Sequence, residues 1–319
     1  MAILSNDRNH HLTIDYLQRT FNAITTEPFT SSVTFTSVAT SLKNVSPGSL
    51  FAPLDPQEQN ETVYRQAMFR GAYGILLENT HHFATRSDQN QQQYPQYHIG
   101  IPVILMRDVA KNIGLICSFL EQDPSLKVAM FICFGIEVKD VAEKLASLLH
   151  MLGNPVGLIS QSGQSYSVNR PLNLSFPLDS SALQETESII AEDGAAALII
   201  AANDTTLLPW ALSGTQVDIC CGYRALLDTD QPVEKSHFQS SVISVQSHSL
   251  FGAVFDNETR IIGDHSPYDV LVGSDIFNYL IDVIPLGDAA TRIAISMVLA
   301  AGITPESIKK AVSVSQEFS

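Results

Sequence analysis

A strand, a turn and a helix near the middle of the chain carry residue types that could meet a phosphate. The apolar run Lys127–Phe134 predicts a strand covered on both faces, and residues 135–140 after it read GIEVKD. Apolar residues then recur at helical spacing from Val138 to Leu152, and Gly153 is placed to end this helix. A glycine-containing turn between a strand and a helix N-terminus is the architecture that holds nucleotide phosphates.

Three features of this turn disfavour ATP binding. Gly135 and Lys139 have the spacing of a GxxGK[ST] phosphate loop, but Val138 replaces its second glycine and Asp140 its magnesium-binding hydroxyl. A β-branched side chain obstructs the approach of phosphate and costs about 1–3 kcal/mol where the backbone is strained. A carboxylate about 4 Å from a phosphate repels it by about 4 kcal/mol at an effective dielectric constant near 20. Glu137 adds a second negative charge, so we expect neither ATP nor magnesium here.

The two carboxylates also have a structural interpretation. Asp and Glu near a helix N-terminus stabilise the helix by about 0.3–1 kcal/mol. The turn therefore predicts a helix start capped by its own Glu137 or Asp140. Two alternatives stay open: Asp140 could hold a metal for a different chemistry, and Lys139 is equally well explained as a solvated or helix-neutralising lysine.

The elements around this turn predict an α/β fold with two domains, residues 1–124 and 125–319. The first is a small α/β domain, and the second is a P-loop-type domain with a mostly parallel sheet flanked by helices. The polar stretch Arg86–His98 predicts a surface loop. The remaining predicted strands are a short one at the end of Gly71–Glu78, and Ile101–Met106, Val156–Ser160, Ala195–Ala202, Val217–Cys221, Val242–Val245, Ala253–Phe255 and Asp269–Val272. The predicted helices are Asp108–Leu120, Asp288–Ala301 and one starting at Thr304.

Composition excludes several classes of function. The formal net charge of −15 argues against nucleic-acid binding, which needs a basic surface. No apolar run is long enough to span a membrane, and the N-terminus does not read as a signal peptide. The four cysteines lack the spacing of a zinc site or a CxxC motif. We therefore expect a cytoplasmic protein with no membrane span, no metal site and reduced thiols.

Several segments, taken in order, resemble the Mur ligases, the ATP-dependent UDP-N-acetylmuramoyl-peptide ligases of peptidoglycan synthesis. Residues 40–51 (TSLKNVSPGSLF) are similar to the family's DSRxVxPGDLF, and 71–78 to its GAxAVLxE. Residues 101–120 match the family's IPVI segment. Residues 127–160 match its strand, phosphate loop, helix and VGLIG strand, and residues 285–303 match its late helix. The similarity is greatest to the members that add the third amino acid. It implies an N-terminal domain for the UDP-linked substrate, with Ser41 in contact with the uridine nucleotide, and a central ATPase-type domain. Alternatively, Ser41 is a loop serine that caps a turn.

Departures from the family fall on the catalytic positions. The family loop GTNGKT is GIEVKD here, and the magnesium-binding EVSSH segment falls on residues 200–204, which contain no glutamate. The histidine of TNxxxDHLD is absent from residues 221–228, and Leu42 replaces the arginine of DSR. The chain also ends at Ser319, about where the family's C-terminal domain would begin, so we expect that domain to be absent.

Three functional hypotheses follow from the resemblance. The leading one is a non-catalytic Mur ligase homologue, a pseudoenzyme in cell-wall precursor metabolism, with no catalytic residues and no cofactor. It would bind a UDP-sugar-peptide or an active partner ligase. The second is a ligase that uses ATP and magnesium and is completed by a separate chain. The third is a scaffold without a small-molecule ligand.

Overall fold

The computed structural model describes residues 11–25, 30–79, 99–135, 138–161, 165–221, 251–262, 279–280, 284 and 289–317. The chain folds as two compact units, residues 1–122 and 123–319. Each unit is an α/β structure with a mostly parallel sheet flanked by helices, which confirms the predicted fold class. The predicted loop at 86–98 and the predicted strands at 242–245 and 269–272 lie outside the described residues.

The first unit is built around a five-stranded sheet of order β2-β7-β6-β5-β4. Strands β4 to β7 run parallel, and β2 pairs antiparallel with β7 at one edge. Strands β1 and β3 form a separate antiparallel pair. The elements are β1 (Leu12–Thr13), α1 (Ile14–Phe21), β2 (Ile24–Thr25), β3 (Thr34–Phe35), β4 (Ser37–Ala39), β5 (Ser49–Phe51), α2 (Glu61–Phe69), β6 (Gly74–Glu78), β7 (Val103–Met106) and α3 (Val109–Leu120), with 3-10 turns at Leu42–Asn44 and Pro56–Glu58.

Both faces of this sheet are covered, which explains why its central strands are continuous apolar runs. Leu76 packs on the side of α1 and α3, while its neighbours Ile75 and Leu77 pack on the side of α2. The short strand predicted at the end of 71–78 is found as β6, and the strand predicted at 101–106 is found as β7, which begins two residues later than predicted.

The second unit contains a seven-stranded sheet of order β11-β10-β9-β12-β8-β13-β14. The five strands from β9 to β14 in that order run parallel, and β10 and β11 extend one edge as an antiparallel hairpin. The elements are β8 (Ala129–Phe134), α4 (Val138–Met151), β9 (Val156–Ile159), β10 (Tyr166–Ser167), β11 (Arg170–Pro171), α5 (Ser180–Glu192), β12 (Ala197–Ala202), β13 (Ile219–Cys221), β14 (Arg260–Ile262), α6 (Ala289–Ala300) and α7 (Pro305–Glu317).

Alternation along β8 divides the core of this unit in two. Phe131 and Cys133 pack with α4, α6 and α7 on one face of the sheet. Met130, Ile132 and Phe134 pack with α5 on the other face. Because successive side chains of a strand point to opposite faces, one apolar run supplies both cores.

Two features of the second unit differ from the sequence prediction. The strand predicted at 253–255 is wrong: Val254 forms only an isolated bridge with Gln216. Helix α5 was not predicted, and its inward face carries polar residues as well as apolar ones. Among the described residues, no helix has the length and apolar content that a membrane crossing requires. The four cysteines are buried and carry no disulfide.

Candidate functional site

The predicted phosphate turn begins at the carboxyl-terminal edge of the central sheet. Gly135 follows β8 directly, and its backbone amide donates to the carbonyl oxygen of Ala202, the last residue of β12, at 3.2 Å. Gly135 has a φ of +133°, a conformation that favours glycine. Carboxyl ends of parallel strands are where α/β folds place ligands, so the turn stands where a nucleotide site would be expected.

Val138 occupies the position of the second glycine of a phosphate loop, and its side chain lies in the core. It is the first residue of α4, is 6% exposed and packs in the cluster formed by α4 and the sheet. A Cβ atom on Gly135 would stand 3.5 Å from Val138 Cγ1. The valine therefore fills space beneath the turn from a helical backbone. The strain expected for a β-branched residue in a loop does not arise.

Lys139 and Asp140 both lie on the solvent side of α4. Lys139 Nζ is 3.8 Å from Glu143 Oε1, one helical turn further on, with side chains that are 51% and 34% exposed. An exposed pair of this kind contributes about 0–1 kcal/mol. Asp140 is exposed in the first turn of α4, and no hydrogen bond joins its carboxylate to another described residue. Glu137 lies outside the described residues, so capping of α4 by its own carboxylate stays a prediction.

Asn203 follows β12 at the same edge of the sheet, within the segment aligned with the family's magnesium ligand. Its Oδ1 accepts hydrogen bonds from the amides of Thr205 and Thr206, at 3.0 and 3.1 Å, and also from both hydroxyls. This Asx turn uses the acceptor capacity of the side chain for the local backbone. In the part of the chain that the structure describes, no group of three or more His, Cys, Asp or Glu residues could hold a metal.

Ser41, the predicted nucleotide contact, lies at the 3-10 turn after β4 in the first unit. It has the N-cap position of that turn but makes no capping bond, which contradicts the alternative of a capping serine. Glu58 Oε2 instead accepts from the amide of Leu42 at 2.8 Å, and Arg70 Nη1 donates to the carbonyl of Leu42 at 2.5 Å. Ser41 Oγ is buried and has no hydrogen-bond partner among the residues that the structure describes. Its hydroxyl therefore makes no hydrogen bond to a described residue, and a rotation about χ1 would be needed to present it to a ligand.

Glu78 ends β6 in the segment that resembles GAxAVLxE, and its role was not predicted. Its two carboxylate oxygens accept from the backbone amides of Asp108 and Val109, both at 2.7 Å. These amides start α3, where helical backbone donors lack partners. Asp108 itself makes no side-chain cap and has a φ of +52°. Glu78 therefore supplies the cap from a neighbouring strand, 30 residues away.

A groove of about 690 Å³ runs beside the later turns of α4, away from its first turn. Glu143, Ser147 and His150 line one wall, and Tyr166 with Asn169 from the β10–β11 hairpin contributes to the other. Burial raises the pKa of the Tyr166 hydroxyl, and the charge of Glu143 adds to the effect. The groove is open and mixed in polarity.

Comparison with solved structures places this architecture among known folds. A UDP-N-acetylmuramoyl-L-alanyl-D-glutamate–2,6-diaminopimelate ligase aligns with a TM-score of 0.57 and 12% identity, over 95% of this chain and 66% of that chain. The fold is similar to that of the Mur ligases. MurF from Acinetobacter baumannii aligns with a TM-score of 0.49 and 10% identity, over 95% of this chain and 68% of that one. This chain thus spans about two thirds of the length of these ligases. No family model and no curated protein matches the sequence.

In the described part of the turn, a valine and an aspartate stand where a phosphate loop has a glycine and a hydroxyl. Val138 is held in the core, so it neither opens the backbone to a phosphate nor moves aside without unpacking α4. Asp140 presents a carboxylate where a phosphate loop has a hydroxyl, and Lys139 already pairs with Glu143. Asn203 is committed to its own turn. No catalytic step through ATP is derived from this arrangement.

Proposed function

We propose that this chain is a non-catalytic Mur-ligase-like protein that binds a UDP-N-acetylmuramoyl-peptide through its first unit and does not use ATP. The observation that carries the proposal is the burial of Val138 in the first turn of α4. A phosphoryl-transfer enzyme needs a backbone cradle and a magnesium ligand at this point. Here a core side chain and a carboxylate take those places.

The first unit supplies the candidate ligand contact. Ser41 Oγ is a hydroxyl without a partner at the end of β4, on a turn that Glu58 and Arg70 hold in place without its help. A hydroxyl that contributes nothing to its own turn is free to serve a ligand. The Mur-ligase-like fold makes a UDP-linked precursor of the cell wall the ligand class to test first. The other part of this proposal is that an active Mur ligase binds this chain as a protein partner.

Two binding measurements on the full chain test the proposal. In equilibrium dialysis with labelled ATP and magnesium, we expect no binding at micromolar concentrations, and micromolar binding would overturn the non-catalytic part. In a thermal-shift titration, UDP-N-acetylmuramoyl-L-alanyl-D-glutamate should stabilise the chain, by about 2.7 kcal/mol at a hundred times its dissociation constant. No stabilisation at millimolar ligand would favour a scaffold without a small-molecule ligand.

Two serine variants distinguish weaker ligand binding at Ser41 from a general loss of stability. Ser41→Ala should weaken binding of the UDP-linked probe without lowering the melting temperature of the free chain. Ser32→Ala changes an exposed serine of the same unit and serves as the matched control. Release of phosphate when precursor, amino acid and a second protein are combined would instead support the alternative of a ligase completed by another chain.

A further inference from the structure

The side of α5 that faces the protein carries a carboxylate with no cation beside it. Glu187 is fully buried, and Thr215 Oγ1 donates to its Oε1 at 2.7 Å. Gln184, one turn earlier on the same face of α5, donates from Nε2 to the same hydroxyl at 2.8 Å. The three fully buried side chains therefore form one cluster that joins α5 to the segment between β12 and β13.

The hydrogen bonds of this cluster do not balance if Glu187 is ionised. Two acceptors, Glu187 Oε2 and Gln184 Oε1, are buried and have no donor among the described residues. The hydroxyl of Thr215 has a single proton, and that proton is already given to Glu187 Oε1. An unsatisfied buried polar atom destabilises the folded state, and more so if it is charged. If Glu187 is protonated, its carboxyl group has an O–H donor in place of one unsatisfied acceptor. Gln184 Oε1, in the same cluster, is an acceptor that lacks a donor among the described residues.

The charges around the cluster do not compensate an ionised carboxylate. Burial raises the pKa of Glu187 to about 8, against the smaller opposing effects of the Thr215 and Gln184 hydrogen bonds. The elements packed here carry ionisable residues of both signs, yet among the described residues none of them contributes to this pKa. These residues are Asp123 and Lys127 beside the 3-10 turn Pro124–Leu126, Glu185 and Glu192 on α5, and Asp204 and Asp218 beside the ends of the β12–β13 segment.

We propose that Glu187 is a neutral carboxylic acid in the folded protein at neutral pH, and that losing its proton at alkaline pH weakens the attachment of α5 to the β12–β13 segment. This device is independent of the proposed ligand. It acts on the segment that starts with Asn203, at the same sheet edge as Gly135.

The sign of the pH effect follows from proton linkage. Between about pH 4.5, the ordinary value for a glutamate, and about pH 8, folded Glu187 holds a proton that the unfolded chain has released. Stability therefore falls as pH rises through this window and levels off above it. The unfolding equilibrium constant should rise about tenfold for each pH unit because of this one group.

Glu187→Gln isolates the effect, because glutamine keeps an acceptor for Thr215, supplies N–H donors and cannot ionise. Urea unfolding of the full chain is measured from pH 5 to pH 9 for the wild type and for this variant. We expect the ratio of the two unfolding constants to change about tenfold per pH unit up to about pH 8. Glu185→Gln removes the same charge from the exposed side of α5 and should follow the wild type. A ratio that does not depend on pH would overturn the proposal.

Two further measurements make the result independent of how well the variant folds. In the wild type labelled with carboxyl-¹³C glutamate, one resonance should titrate near pH 8. If every glutamate carboxyl titrates below about pH 6, Glu187 is ionised and the proposal is wrong. Hydrogen exchange of the α5 amides, compared between wild type and Glu187→Gln at each pH, should diverge as pH rises to about 8 and the difference should stay constant above it. Equal exchange in both proteins at pH 7 and pH 9 would overturn the link to α5.

Discussion

The backbone amide of Gly135 donates a hydrogen bond to the carbonyl oxygen of Ala202 at 3.2 Å. This bond fixes the exit of β8 against the end of β12, one strand away in the sheet. The turn that follows is therefore held from both sides, by the sheet at Gly135 and by the core at Val138. Changes in this turn should affect folding before they affect any ligand.

Val138→Ala should lower the free energy of unfolding by about 1.5–3 kcal/mol, since most of a buried valine side chain is lost. Urea unfolding of the full chain measures the change. Lys139→Ala, at the next residue on the exposed side of α4, is the control and should change stability by no more than about 0.5 kcal/mol. Equal effects of the two variants would mean that Val138 is not a core residue.

Val138→Gly combined with Asp140→Thr should not create ATP binding. The double variant restores two residues of a phosphate loop, but glycine in the first turn of α4 also loses the core contact and adds helix-propensity cost. Equilibrium dialysis with labelled ATP and magnesium checks this, together with a melting curve. Micromolar binding by a variant as stable as the wild type would contradict it.

Glu78→Ala should destabilise the first unit by about 1–2 kcal/mol, because two amides at the start of α3 lose their acceptor. Glu78→Gln keeps one side-chain oxygen and should show about half of the effect. Glu61→Ala breaks only an exposed pair with Arg65 and serves as the matched acidic control. The readout is urea unfolding, with amide exchange of residues 109–112 as the local measure.

Asn203→Ala should cost about 1–2 kcal/mol, and Asn203→Asp much less, because aspartate keeps the oxygen that accepts from Thr205 and Thr206. Magnesium at millimolar concentration should change the stability of neither variant relative to the wild type. A magnesium-dependent stabilisation that Asn203→Ala abolishes would indicate a metal site instead of a turn.

Glu58→Ala should destabilise the turn at Leu42, since its amide loses the carboxylate that accepts from it at 2.8 Å. Ser41→Ala should leave stability unchanged or raise it slightly, because it removes a buried hydroxyl without a partner. Thermal unfolding of both variants, without ligand, gives the comparison. A loss of stability in Ser41→Ala as large as that in Glu58→Ala would assign the serine to the turn.

Elements with a regular apolar pattern could be predicted from the sequence. Helix α4 follows from the spacing of its apolar residues and from Gly153, which has a φ of +84° and whose amide bonds back to His150. Helix α5 could not be found in this way, because Ser180, Gln184 and Glu187 face inward and break its apolar periodicity. Five polar residues of this helix are buried: Ser180, Gln184, Thr186, Glu187 and Ser188.

The candidate site was predictable only in part. Residues 135–140 could be recognised, because strand, glycine and helix are local features. Glu58 and Glu78 accept hydrogen bonds from backbone amides that are 16 and 30 residues away in the sequence. A side chain that caps such a distant backbone produces no local sequence pattern from which the contact could be predicted. The helical position of Val138 was predicted from its apolar spacing, whereas the strain that the loop comparison assigned to this valine is absent, because its backbone is helical.

The burial of Val138 has a consequence for how this protein could change by mutation. A substitution that opened the turn for a phosphate would also remove a side chain from the cluster beneath α4. Gain of nucleotide affinity and loss of folded population are therefore coupled at a single position. Any stepwise change toward an ATP-binding loop would pass through less stable intermediates, unless a compensating change in the core came first.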